Sequence, residues 1–395
     1  MSSTRELFYR HVAQTSDGPI GLEIEKAEGI YLFDKNGKKY IDLIAGVSVS
    51  NIGHRNPKVI EAIKSQTDKY LHLMVYGEYI QSPQVELAKN IIDICPEQYN
   101  SVYFVNSGSE ANEGALKLAK RYTGRTEIIA FKKAYHGSTH GALSVLGDEY
   151  FKNSFRPLLP DIKFLEFNNE HDLEKISAKT ACVIVEPVQG EAGVVLPKNN
   201  FLQKLQKKCN EQGALLIFDE IQTGFGRTGN MFAFETYDVR PDIFTIAKGM
   251  GGGMPIGAFV SSNKIMQVFK TNPVLGHITT FGGHPVSCAA ANASLQVILN
   301  ENIVKSVNKK GELFKKLLKH KKIKSIHGQG LFLAVEVESF EFLQKLLQAA
   351  IKNGLIFDWF IFNDNHFRIA PPLTITETEI KLAVDIILKS LDETN

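Results

Sequence analysis

Between residues 84 and 260, short apolar runs alternate with longer helical stretches, and this alternation restricts the chain more than any other feature. The runs are SVYFVN, EIIAF, ACVIVEPV, ALLIFDE, IFTIAKG and GAFVSS; between them lie segments such as SEANEGALKLAKRY and FLQKLQKKCNEQG. Strands apolar on both faces, separated by enough chain for a helix, predict a mainly parallel sheet covered by helices, so the fold class is α/β. With 395 residues and 44% hydrophobic content, the chain exceeds what one core organises, which predicts two well-packed domains. Before the alternating region, GIYLFDKNGKKYIDLIAG (29–46) sets two β-rich runs around Asn36 and Gly37, a hairpin signal because Asn-Gly supplies the positive φ angles of a tight turn. After about 290 come a long helical region, the strand LFLAVEV (331–337) and a final helix from about 376. The expected organisation is a large domain over 56–295 and a small α+β domain in which 296–395 pairs with the N-terminal segment 1–55. No internal repeat, low-complexity segment or long linker interrupts it.

Charge and cysteine usage exclude several functions. With 45 Lys and Arg against 43 Asp and Glu, a net charge of +2 gives no reason to expect nucleic acid. The basic stretch KKLLKHKKIK (315–324) has leucines between its lysines and reads as an amphipathic helix with a solvated face. Cys95, Cys182, Cys209 and Cys288 show neither metal-ligand spacing nor a disulfide framework. They read as reduced core residues of a cytoplasmic protein. No signal peptide opens the sequence, and no apolar run is long enough to span a bilayer, so no membrane partner is expected.

In open α/β sheets ligands bind at the carboxyl ends of the strands, so the residues just past each run form the candidate site. After SVYFVN, Ser107 and Gly108 turn the chain and Ser109 opens a helix whose free N–H groups suit a phosphate. A plain helix cap at Ser109 is the alternative. After EIIAF, Tyr135 and His136 stand beside a glycine, where flat rings can cover a planar ligand or fill a domain seam. Asp219 comes after LLIF at the deep end of its strand, where an unpaired charge is unfavourable, so it needs a cationic partner. Lys248 ends another apolar run and precedes Gly249, Gly251, Gly252 and Gly253. Burial lowers a lysine's pKa toward neutrality, which suits Schiff-base chemistry. A snorkelling lysine would explain Lys248 but not the glycines, which let the backbone approach a bulky ligand.

One cofactor accounts for all four sites. The phosphate of pyridoxal 5'-phosphate suits a helix N-terminus, its ring a stacked aromatic, its pyridine nitrogen a carboxylate and its aldehyde a lysine. Asp219 would keep the pyridine nitrogen protonated, so that the ring can take up electrons released when a substrate C–H bond breaks.

With these motifs the chain resembles the class III aminotransferases, pyridoxal-phosphate enzymes that include ornithine, acetylornithine and 4-aminobutyrate aminotransferases. The resemblance runs from YIDLIAGVSVSNIGHRNP (40–57) to FRIAPPLTIT (367–376). It implies an aspartate-aminotransferase-like fold of type I and a homodimer with shared active sites at the subunit interface. It further implies that Ser107, Gly108 and Ser109 hold the phosphate, Tyr135 stacks on the ring, and Asp219 pairs with the pyridine nitrogen. Gln222 of FDEIQTGFGRTG would lie near the 3-hydroxyl, Lys248 would form the Schiff base, and Thr280 of HITTFGGHP would reach the phosphate of the neighbouring subunit. Arg368 of HFRIAPPL resembles the arginine that binds a substrate α-carboxylate, and Glu191 of EPVQGEAG the glutamate that pairs with it when no carboxylate is there. Three positions depart from the pattern: Ser109 for a frequent threonine, His284 for the asparagine usual in GGNP, and Ser138 of YHGSTHG for the arginine that binds a distal carboxylate.

The implied reaction is a ping-pong amino transfer between an amine or amino acid and a keto acid. The donor would offer the terminal (ω) amine of an ornithine-, acetylornithine- or 4-aminobutyrate-like molecule, and the acceptor would be a keto acid such as 2-oxoglutarate. An aminomutase or racemase would share the chemistry of Lys248. A non-enzymatic role would require the lysine, aspartate and glycine pattern to be vestigial.

Overall fold

The computed structural model describes residues 3–395. An N-terminal meander comprises β1 (Ile24–Glu28), β2 (Tyr31–Asp34) and β3 (Lys39–Asp42). Of its Asn-Gly turn only Gly37 is left-handed, at φ +80°, and Asp34 Oδ1 accepts from the amides of Asn36 and Lys38 at 2.9 Å each. The turn is therefore closed by an aspartate and one glycine, not by two positive-φ residues as the Asn-Gly pair predicts.

Seven strands form the central sheet: β4 (Ser101–Val105), β5 (Glu127–Phe131), β6 (Ile162–Leu165), β7 (Thr180–Val185), β8 (Leu215–Asp219), β9 (Ile243–Ile246) and β10 (Gly257–Ser261). Their spatial order is β4-β10-β9-β8-β7-β5-β6, and β10 alone runs against the rest. The inner strands β5 and β7 to β10 are buried along their whole length because both faces are covered. On one face Val183, Val185, Leu216 and Phe218 pack with Phe201, Leu205 and Cys209 of the helix Phe201–Gln212. On the other, Cys182, Ile184, Leu215 and Ile217 pack with Ala111, Ala115, Leu118 and Ala119 of the helix Gly108–Thr123. Alternation within each strand thus feeds two cores at once. This is the α/β architecture with a mainly parallel sheet that the sequence predicts.

A third sheet contains β11 (Ser325–Gln329), β12 (Phe332–Glu336), β14 (Trp359–Phe360) and β15 (Asn363–Ile369), while β13 (Leu355–Ile356) leaves it to pair in parallel with β3. The two chain ends therefore share hydrogen bonds. The helix Glu377–Glu393 closes the chain. The basic stretch 315–324 departs from expectation: the helix Val307–Leu317 ends within it. Some of its lysines clasp backbone, Lys315 the Gly328 carbonyl at 2.9 Å and Lys322 the Leu391 carbonyl at 2.8 Å. Among the described residues no helix is long and apolar enough to cross a membrane.

Arg227 ties the three sheets together around the end of β8. Its fully buried guanidinium donates to the carbonyls of Leu331 at 2.9 Å and Pro371 at 2.6 Å, and to the side chain of Asn51. Asn51 in turn donates to the Phe225 carbonyl at 3.0 Å. Arg227→Met keeps the bulk but leaves these buried acceptors without a donor. We expect it to lower stability by about 3 kcal/mol in urea unfolding; a change below about 1 kcal/mol would show that the clasp is dispensable.

Candidate active site

Because the strands on either side of β10 point the same way, the residues just past their carboxyl ends meet at one edge of the sheet. A cavity of about 690 Å³ opens there, within the range of about 300–1,000 Å³ usual for small-molecule sites. Ser107, Gly108 and Ser109 line it from the end of β4, and Tyr135, His136 and Ser138 from the end of β5. Glu186 follows β7, Asp219 and Gln222 come from β8, and Lys248 follows β9. Val49 also reaches the cavity, just after Ala45–Ser48, where φ stays between +51° and +63° for four residues.

Asp219 is 4% exposed at the end of its apolar strand, and its carboxylate is held from three directions. Oδ2 accepts from Asn112 Nδ2 at 2.8 Å and from His136 Nδ1 at 2.7 Å, and Oδ1 accepts from the Ile221 amide at 3.0 Å. Within the chain the carboxylate is thus held by a cage of N–H donors. His136, expected as a ring covering a ligand, is instead turned onto Asp219, with its Nε2 buried and without a partner. Asn112 is anchored as well: it donates to the His136 carbonyl and accepts from Thr245 Oγ1, both at 2.8 Å.

The helix Gly108–Thr123 is capped by Ser107, whose Oγ accepts from the Glu110 amide at 3.2 Å. Ser109 lies inside the helix, its Oγ 2.8 Å from Thr139 Oγ1, so it does not open the helix as expected. The first N–H groups of a helix have no intrahelical acceptors and attract an anion. Gly137, at φ +121°, lets the loop after β5 pack against this helix start, since a Cβ there would lie 2.3 Å from Ser109 Oγ.

Lys248 has φ +46°, a left-handed conformation that costs a residue with a Cβ about 1–2 kcal/mol. Burial lowers its pKa below the ordinary lysine value; the charges of Glu191, Asp219 and Glu186 act in the opposite sense, and Arg368 acts with burial. Burial and the nearby Asp219 push Glu186 well above the usual carboxyl range. Of the four glycines, only Gly253 lines the cavity. A Cβ on Gly249 would strike Asn51 at 2.4 Å, and one on Gly252 would lie 3.0 Å from Ser294. Those two make room for protein packing, not for a ligand.

Gln222 is buried in the cavity wall with Nε2 lacking a partner. Arg368 and Glu191 sit beyond that wall: the guanidinium is 2% exposed, and its Nη2 donates to Glu191 Oε1 at 2.9 Å and Oε2 at 3.0 Å. They do not line the cavity, although their charges act on Lys248. Ser138 is exposed at the cavity rim, its Oγ 3.3 Å from the Tyr135 hydroxyl. Thr280 is exposed and outside the cavity of its own chain.

The sequence profile of the family described as aminotransferase class-III matches residues 12–391. The chain belongs to the class III aminotransferases. An acetylornithine aminotransferase from Archaeoglobus fulgidus is 41% identical to this class III aminotransferase over 381 residues, 96% of this chain and 98% of the relative. A [LysW]-aminoadipate semialdehyde/glutamate semialdehyde transaminase from Sulfurisphaera tokodaii is 36% identical, over 95% of this chain and 96% of the relative. The solved ornithine aminotransferase of Toxoplasma gondii, with partial occupancy of PLP at its active site, superposes with a TM-score of 0.91 at 30% identity and covers 99% of this chain and 95% of its own. The chain is accordingly a fold type I transaminase that uses pyridoxal 5'-phosphate, and these relatives do not favour the aminomutase or racemase reading.

The cavity fits that cofactor. It offers a helix N-terminus for a phosphate, a caged carboxylate, a lysine of lowered pKa, and buried Gln222 Nε2 and His136 Nε2 atoms without partners. Two residues of this class III aminotransferase escape the sequence reading. Asn112 stands three residues after Ser109, on the same helix face, and Glu186 directly follows β7. Asn112→Ala removes one donor from Asp219 and orphans Thr245. We expect turnover to fall about tenfold, for roughly 1–2 kcal/mol of lost support. Unchanged turnover in a folded Asn112→Ala enzyme would show that His136 and the Ile221 amide suffice.

Proposed function

We propose that this aminotransferase takes the terminal (ω) amine of an acetylornithine-, ornithine- or 4-aminobutyrate-like donor and passes it to a keto acid such as 2-oxoglutarate in two half-reactions. The observation that carries this reading is the buried Arg368–Glu191 pair, closed at 2.9 Å and acting electrostatically on Lys248. A substrate that brings an α-carboxylate competes with Glu191 for the guanidinium, whereas an amine without one leaves the pair closed. One site then serves two kinds of partner. The activities named for the Archaeoglobus and Sulfurisphaera relatives support the same reading.

Bound pyridoxal 5'-phosphate supplies a carbonyl carbon that condenses with amines and a ring that takes up the electrons left when a C–H bond breaks. In this reading Lys248 Nζ would hold the cofactor and would also be the group placed to accept the proton of the substrate carbon. Asp219 would hold a proton at the ring nitrogen, its carboxylate oriented by Asn112 and His136. Gln222, Tyr135, Ser107, Gly108 and Ser109, which line the cavity, would hold the cofactor, the last three through its phosphate. At the rim a hydroxyl, Ser138, meets the far end of the substrate in place of a guanidinium, which weakens the grip on a distal carboxylate.

The reading also includes a homodimer in the cytoplasm and a division of the chain near residues 55 and 295. Exposed apolar residues support the dimer, among them Leu71 at 61%, Ile80 at 97% and Val274 at 71%, with Phe281 beside Thr280. Surfaces of that kind mark protein contacts, and such a contact would bring Thr280 of the partner subunit to the phosphate. The four cysteines are free, which accords with a reducing compartment.

Borohydride treatment of the loaded enzyme followed by peptide mapping should find the cofactor fixed to Lys248, and Lys248→Ala should lose turnover by at least about 10⁴-fold while remaining folded. A label on any other lysine refutes the site. In single-turnover measurements Arg368→Ala should weaken the keto-acid half-reaction far more than the ω-amine half-reaction. Equal losses would show that the arginine is structural.

A further inference from the structure

Arg368 is countered by two carboxylates, not one. Besides Glu191 on Nη2, Asp358 Oδ1 lies 3.3 Å from Nε, off the line a hydrogen bond requires. The backbone fixes this second contact, since the Arg368 amide donates to the Asp358 carbonyl at 2.9 Å and both residues sit where β14 pairs with β15. Phe360 lies against the guanidinium, 4.7 Å from ring centroid to Cζ. Nη1 is buried and has no partner. The arginine is therefore gripped along two edges, and the trio Glu191, Arg368 and Asp358 carries one net negative charge when both acids are ionised.

We propose that Asp358 is a specificity-determining positioning residue, which lowers the affinity of Arg368 for a substrate carboxylate and so biases this aminotransferase toward amines that bring none. The inference rests on the switch reading of Arg368 and Glu191. If Glu191 alone countered the arginine, its displacement would offer an incoming carboxylate a full positive charge. With Asp358 in place, displacement of Glu191 leaves a pair that is already neutral, around a guanidinium that is 2% exposed, while the Asp358 side chain keeps 22% of its surface exposed. Asp358 gives the arrangement a pH signature. Burial pushes its pKa up to about 6 against the pull of Arg368, helped by the charges of Glu191 and of Asp42. Asp42 is itself paired with His54 at 2.7 Å. Above that pH Asp358 is charged and weakens the arginine; below it Asp358 is neutral and the arginine regains its full pull.

The test is calorimetric binding of 2-oxoglutarate to the holoenzyme in its pyridoxal form, at pH 7.5 and pH 5.5, for the wild type, Asp358→Asn and Arg368→Ala. Wild type should bind on the order of tenfold tighter at the lower pH, Asp358→Asn about equally tightly at both, and Arg368→Ala weakly at both. Single-turnover kinetics should agree, with Asp358→Asn lowering the apparent dissociation constant for the keto acid more than that for the amine donor. Keto-acid binding in Asp358→Asn that is no tighter than wild type at pH 7.5, or undetectable, overturns the proposal, as does a pH dependence that survives in that variant. If Asp358→Asn does not fold, the wild-type pH dependence decides: weaker or unchanged binding at pH 5.5 overturns it. If Arg368→Ala binds the keto acid as wild type does, the switch reading itself has failed; if only Asp358→Asn behaves unexpectedly, the switch stands without this refinement.

Discussion

The carboxylate of Asp219 is the constraint around which the site is arranged. A charge at the end of an apolar strand is unfavourable unless its lone pairs are taken, and its donors come from three places: Asn112 on the helix after β4, His136 on the loop after β5, and the Ile221 amide of its own turn. Satisfying one buried acid therefore fixes the separations of three strand ends. The same helix carries Gly108 and Ser109, and the same loop carries Tyr135 and Ser138, so positions suited to a phosphate and to a ring face result from the hydrogen bonds of Asp219. Asp219 itself lines the cavity.

Parallel strands make this economy available. Because β4, β5, β7, β8 and β9 point the same way, their carboxyl ends place polar residues at one edge while both faces of the sheet stay apolar. The edge departs from ideal geometry in a limited way. Lys248 is left-handed, Ala45–Ser48 form a left-handed turn next to Val49, and Glu186 is a buried acid with a raised pKa. Such local strain is held in place by surrounding packing and by clasps such as Arg227. Charge is balanced over a wider region, since Lys248 responds to Glu186, Glu191, Asp219 and Arg368 together.

The parts legible in the sequence are those set by local pattern. Apolar runs mark β4, β5 and β7 to β10, and in β5 and β7 to β10 burial on both faces leaves no polar alternation to confuse the reading. β6 and the short strands β13 and β14 escape it, since IKFL, LI and WF are too brief for periodicity to register and are made strands by their neighbours. At the site, Asp219 and Lys248 stand out because charge comes directly after an apolar run. Their partners do not: Asn112 resembles any helix residue until tertiary contact sets it against Asp219. The orientation of His136, the cap at Ser107 and the contact of Asp358 with Arg368 depend likewise on which face a residue turns, which composition and spacing leave open. Glycine spacing near Lys248 mixes two causes, with Gly253 at the cavity and Gly249 against Asn51.

The role proposed for the caged Asp219 carboxylate, to hold a proton on the cofactor's ring nitrogen, can be measured. Nuclear magnetic resonance of enzyme loaded with cofactor labelled at that nitrogen with ¹⁵N reads this directly. The expected result is a protonated nitrogen in the wild type throughout the working pH range, and an unprotonated one in Asp219→Ala at neutral pH. A nitrogen that is unprotonated in the wild-type enzyme at neutral pH would contradict it.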